Sequence, residues 1–168
     1  GVVACKDEQW AMALRQIRIV TGGVLHPQAA WLLHRSLPTL PLRVQQAQRN
    51  AQALVAWLRS RDGIDQVFYP DNCEVAKRQM DGPGAILAFE VRGGHDAAAK
   101  VMKKVKLCTP AVSLGSTDTL IQHPAGLTHR IVEEHARKEF GITEGLLRVS
   151  AGIESSADII ADLEQALS

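Results

Sequence analysis

The sequence is poor in the features that commit a chain to a specialised class. Its 168 residues include only three cysteines, Cys5, Cys73 and Cys108, which form neither a C-x-x-C pair nor an even set. This argues against a disulfide framework or a zinc ribbon, and makes free thiols in a reducing, cytoplasmic compartment the expectation. Nineteen basic residues against eighteen acidic ones leave a formal charge of +1, so nothing global draws the chain to nucleic acid or an anionic membrane. No apolar run approaches the roughly 20 residues that span a bilayer, and residues 1–7 carry no leader pattern. Repeats and low-complexity tracts are missing too. What remains is 46% hydrophobic and 22% charged residues over the length of one globular domain, a balance that fits a soluble protein with a real core.

The chain opens on a short β-prone run, Gly1 to Cys5, with no lead-in, as if it began in mid-structure. From Asp7 a helical period places Trp10, Ala13, Leu14, Ile17 and Val20 on one face until Gly22-Gly23 stops it. Pro27 opens a second helix to about Ser36. Pro41 opens a longer one to Arg59, with an apolar stripe of Val44, Ala47, Ala51, Leu54, Val55 and Leu58. After Arg61-Asp62-Gly63 the period turns to β, with strands expected at 66–69, 85–91, 110–114 and 146–150. Helices are expected at 72–80, 95–105 and 156–167, the last with Ser155 and Asp158 at capping-box spacing. Residues 115–145 read as a long irregular connection, of the kind that is usually functional or disordered. The whole reads as an α+β domain preceded by helical and strand material of something larger.

Arg148 stands out because Leu146-Leu147-Arg148-Val149-Ser150 reads as a buried strand with a guanidinium in its middle. A buried arginine must be paired or liganded. It is either a two-pronged clamp for a substrate carboxylate, or an internal partner of Glu144 or Glu154, or part of a strand edge facing water. Ser113-Leu114-Gly115 offers a hydroxyl and backbone N–H groups to an anion, or is a plain strand-end turn. His123, His129 and His135 lack ligand spacing and a carboxylate cluster, so no metal is expected. Lys100, Lys103, Lys104 and Lys106 interleave with Val101, Met102 and Val105 and read as the wet side of a helix, with no aromatics to stack bases.

Several strings taken together resemble the C-terminal part of the pyridoxal-phosphate-dependent Cys/Met metabolism (trans-sulfuration) enzymes, over nearly the whole chain. They are GGVLHPQAAWLL (22–33), TLPLRV (39–44), RNAQ (49–52), PGAILAFE (83–90), AVSLG (111–115), TLIQHPA (119–125) with Thr128-His129, and GITEGLLRVSAGIE (141–154). Within the family the similarity is greatest to the methionine gamma-lyase branch. Cystathionine gamma-lyases, gamma-synthases and O-acylhomoserine sulfhydrylases are the alternatives, and a stand-alone non-catalytic binding module is the alternative from another class. Asp118 stands where the family usually has glutamate.

The resemblance implies the C-terminal domain of the fold-type I, aspartate aminotransferase-like fold, a mixed sheet with flanking helices. It implies three regions: 1–23 as the end of the large cofactor-binding domain, 24–60 as connecting helices and 61–168 as the C-terminal α+β domain. It makes Arg148 the clamp on the α-carboxylate of a sulfur amino acid, with Ser113 and the Leu114 backbone assisting. The implied cofactor is pyridoxal 5'-phosphate. The Schiff-base lysine would lie upstream of this sequence, so no catalytic residue is expected in the chain, and Lys6 is expected to be a surface residue. The piece is therefore expected to be inactive alone, and to need the missing N-terminal region or a neighbouring subunit in a homo-oligomer.

Overall fold

A computed structural model describes residues 3–168, apart from the side chains of Glu134 and Lys138. The chain divides into two compact units, one ending at Leu40 and the other running from Pro41 to Ser168. The first contains α1 (Glu8–Thr21) and α2 (Pro27–Ser36), followed by a 3-10 turn at Leu37–Thr39. Asp7 caps α1, its carboxylate accepting from the N–H groups of Gln9 and Trp10 at 2.7 and 3.2 Å. Gly22 ends that helix at φ 72°, a left-handed conformation that glycine adopts without strain. Neither helix buries a residue; Trp10, Ile17, Val20 and Trp31 are exposed. Val3 to Cys5 form no strand; Gly1 and Val2, the rest of that expected run, lie outside the described residues.

The second unit begins along α3 (Leu40–Arg59) and continues through β1 (Ile64–Phe68), α4 (Glu74–Gln79), β2 (Ile86–Val91) and α5 (Gly94–Lys104). It ends with β3 (Thr109–Pro110), β4 (Leu120–Gln122), α6 (Glu134–Glu139), β5 (Leu146–Ser150) and α7 (Ser156–Leu167). The strands form one sheet in the order β1-β2-β5-β4-β3, antiparallel except for the β3–β4 pair. The β1–β2 register shifts between Ile64 and Gln66.

Because side chains alternate across a strand, Leu87, Phe89, Val91, Ile121, Leu147 and Val149 share one face. They make the core with Ala51, Leu54, Val55 and Leu58 of α3, Ala98 and Val101 of α5, and Ile159, Leu163 and Ala166 of α7. The expected α3 stripe is buried except for Val44. The opposite face carries Phe68, Ile86, Ala88, Gln122 and Arg148, of which Phe68 and Ile86 are exposed.

Two expectations are corrected. The strand placed at 110–114 is only Thr109–Pro110. Beyond Ala111, whose N–H still reaches Ile121 O at 3.0 Å, β5 side chains engage the backbone of this segment, Arg148 at Ser113 O and Ser150 at Gly115 N–H, and the ladder ends. Residues 115–145 are mostly irregular, as expected, and the only regular elements among them are the short β4 and α6. The Ser155–Asp158 capping box does not form: the Asp158 N–H bonds the Ser155 carbonyl, and no side chain caps α7.

Two buried polar residues tie loops to this core. Asp162 on α7 accepts from the N–H groups of Lys106, Leu107 and Cys108 at 2.8, 2.9 and 2.8 Å. Burial works against its charge, yet those donors outweigh burial and hold the carboxyl below its usual range. Asn50 on α3 is 2% exposed and donates to the carbonyls of Gly152 and Glu154 at 2.9 and 2.8 Å. Its oxygen accepts from Gln46 at 2.9 Å. Asn50→Ala leaves one buried and one half-buried carbonyl without their donor and should cost about 2–4 kcal/mol of unfolding free energy, read from the midpoint of a urea titration at unchanged slope.

Candidate functional site

Arg148 occupies the middle of β5, itself the central strand, opposite Ala88 on β2 and Gln122 on β4. Its Nη2 donates to the Ser113 carbonyl at 2.7 Å. Its Nε is buried without a partner, and so is the Oε1 of Gln122. Neither carboxylate considered as an internal partner reaches it. Glu144 is bound to Arg137 at 2.6 Å and His95 at 3.4 Å. Glu154 accepts from the N–H and hydroxyl of Thr119 at 2.6 and 2.9 Å. The guanidinium is thus fixed by one carbonyl, with no carboxylate within salt-bridge distance among the described residues, and it borders a hollow of about 630 Å³ walled by Phe68, Tyr69, Pro70, Ile86 and Ala88.

Ser113 and Leu114 lie in the segment that Arg148 holds. Both are exposed, and Gly115, at φ 75°, follows them with its N–H on Ser150 Oγ at 3.0 Å. A forked cation and a hydroxyl at the end of a short strand suit a small carboxylate. Tyr69 donates to the Gly84 carbonyl at 2.7 Å across one end of the hollow. Burial, with Asp71 nearby, raises its phenol to about 12, so it stays a neutral hydrogen-bond donor.

The sequence did not single out the polar ring around Glu144. His123 is 4% exposed and donates Nε2–H to the Glu144 carbonyl at 2.8 Å, with its ring 5.0 Å from that of His95. Arg137 reaches the carbonyls of His129 and Val132 as well as Glu144. Only the long-range pairing of residues 123, 137 and 144 makes this legible, and no local pattern encodes it. His129 bonds Thr128 at 2.8 Å and His135 pairs with Glu139 at 3.2 Å. Among the described residues no group of three potential metal ligands occurs.

A five-stranded mixed sheet with flanking helices is the architecture shared with the C-terminal part of fold-type I pyridoxal-phosphate enzymes. Solved structures of that class superpose on it closely. The cystathionine gamma-lyase of Micromonospora echinospora matches with a TM-score of 0.90 at 38% identity, covering 96% of this chain and 43% of that one. The cystathionine gamma synthase of Xanthomonas oryzae matches at 0.89 and 35%, covering 98% and 44%. The model of the Cys/Met metabolism PLP-dependent enzymes matches residues 1–168, and the chain belongs to that family. The L-methionine gamma-lyase of Streptomyces avermitilis is 48% identical over 167 residues, 99% of this chain and 37% of the relative. The chain therefore spans about two-fifths of the length of the proteins it matches.

The described residues do not by themselves fit pyridoxal phosphate. No lysine lines the hollow beside Arg148. Lys6 is exposed, Lys77 pairs with Glu74, and Lys100 reaches the Ser168 carbonyl.

Burial lowers the His123 pKa below 6.5, with the nearby His95 adding to the effect, while the Glu144 carbonyl and carboxylate oppose it. The unfolded chain then binds the proton more readily. The stability from this histidine is complete above about pH 6.5 and is lost as the pH falls through the lower folded value. Melting temperatures measured from pH 8 to 5 should decline below that point, and more shallowly in His123→Gln.

Proposed function

We propose that this chain is the C-terminal part of a pyridoxal-phosphate-dependent carbon–sulfur lyase acting on sulfur amino acids, with the α,γ-elimination of a methionine gamma-lyase. In it, Arg148, with Ser113 and the Leu114 N–H, holds the substrate α-carboxylate. The observation that carries this reading is a half-buried guanidinium with a stranded Nε and no carboxylate partner among the described residues. Taking such a charge out of water is costly unless an anion completes it. The 48% identity to a methionine gamma-lyase favours that branch. The likeness to a cystathionine gamma-lyase and a gamma synthase keeps those reactions as the second reading.

What this piece does in turnover is orientation. Anchoring the carboxylate fixes the rotation of the substrate about Cα, and positioning of this kind contributes several kcal/mol to rate. Residues 1–23 would complete the large domain, 24–60 would connect it, and 61–168 would form the small domain. The exposed Trp10, Ile17, Val20 and Trp31 suit burial against that large domain or a second subunit in a homo-oligomer. The lysine that bonds the cofactor belongs to the remainder of the enzyme, and the chain alone is inactive.

Two measurements test this. In the whole enzyme, Arg148→Ala should lower kcat/KM by roughly two orders of magnitude or more, and Arg148→Lys should recover only part, lacking the planar fork. A fall in melting temperature with normal kcat/KM per folded site would refute the clamp. The chain alone, mixed with pyridoxal phosphate and reduced with borohydride, should show only scattered partial labelling. A single stoichiometric lysine adduct would overturn the assignment of the cofactor to the remainder.

A further inference from the structure

The segment that faces Arg148 is laced to β5 and the turn beyond it at three successive levels. Arg148 holds the Ser113 carbonyl, and Ser150 holds the Gly115 N–H. At the third level the contact is densest. Glu154 Oε1 accepts the Thr119 N–H at 2.6 Å, and Glu154 Oε2 accepts the Thr119 hydroxyl at 2.9 Å. The same hydroxyl oxygen accepts the Gly152 N–H at 3.0 Å, and the Ile153 N–H reaches the Thr117 carbonyl at 2.8 Å. A Cβ at position 152 would collide with the Thr117 carbonyl and the Glu154 carboxylate, so the two backbones meet at a separation only glycine permits. Asn50 grips the carbonyls of Gly152 and Glu154 from α3. Thr119 is fully buried, and charge-assisted bonds in such a place are strong and intolerant of loss.

We propose that Thr119 and Glu154 are positioning residues that set the 113–119 segment at the height where Ser113 and the Leu114 N–H meet a carboxylate held by Arg148. The inference rests on the carboxylate reading above. Thr119 is the hinge point because its one hydroxyl serves both sides, donating to Glu154 and accepting from Gly152. Without it, the Gly152 N–H and Glu154 Oε2 lose their shared partner, and the segment is left with the Thr119 N–H on Glu154, the Thr117 carbonyl on the Ile153 N–H and the ties at Ser113 and Gly115, which hold the Leu114 N–H less firmly. Substrate affinity should then suffer more than the chemical step.

Thr119→Val removes the hydroxyl at nearly constant shape, and Thr119→Ser retains it. In the whole enzyme, Thr119→Val should raise KM for L-methionine about tenfold with kcat per folded site changed by less than about twofold, the pattern of lost uniform binding. Thr119→Ser should return KM to within about twofold of the parent. In the 168-residue chain, amide exchange across 113–119 should accelerate in Thr119→Val and recover in Thr119→Ser. Glu154→Gln, which keeps one acceptor, should fall between the two and serves if Thr119→Val does not fold. Faster exchange with unchanged KM would overturn the proposal, as would a KM defect that Thr119→Ser fails to rescue or a loss of melting temperature alone. If Arg148→Ala leaves kcat/KM per folded site intact, the carboxylate reading falls and this inference with it. If Arg148→Ala is impaired and folded Thr119→Val is not, only the positioning role falls.

Discussion

A guanidinium in the middle strand of a sheet cannot be left unsolvated, and how that charge is satisfied governs the rest of this fold. Arg148 has one carbonyl, a stranded Nε and no carboxylate among its described neighbours. The acids nearest in sequence are committed elsewhere, Glu144 to Arg137 and His95, Glu154 to Thr119. Each commitment also anchors a loop, so the pairing that withholds anions from Arg148 builds the frame around it.

That frame explains the distribution of buried polar groups. Asn50 and Asp162 bind backbone groups, and Thr119 is held by the Glu154 carboxylate and the Gly152 N–H. Each ties a loop to a neighbouring helix or turn, Asp162 the 106–108 loop to α7, Asn50 the 152–154 turn to α3, and Thr119 the 117–119 segment to that same turn. Hydrophobic burial sets where α3, α5 and α7 lie, while these few dry hydrogen bonds set the heights of the chain segments on the sheet.

The helices were legible because their signals are local. Asp7 and Gly22 bracket α1, Pro27 opens α2, and the α3 stripe repeats over about four turns. The strand at 146–150 was equally plain from its apolar run. The strand expected at 110–114 shrank to two residues because its hydrogen-bonding groups are engaged by side chains from a strand some 35 residues away, which no window of sequence displays. Asn50 escaped notice for a related reason, since it sits within the apolar stripe of α3 and its partners lie beyond residue 150. Arg148 could be singled out from its strand alone, but the choice between clamp and internal ion pair required knowing where Glu144 and Glu154 had gone.

Both margins of the sheet are blunt. At one side β3 is two residues long and ends in Pro110, which has no N–H to offer. At the other, β1 is irregular between Ile64 and Gln66, with Asp65 exposed and paired to Arg92. An unpaired margin that is short, proline-bearing or kinked is a poor template for another chain's strand. Edge-to-edge pairing of this sheet with a second copy is therefore disfavoured at both margins, which leaves association to the surfaces formed by helices and loops.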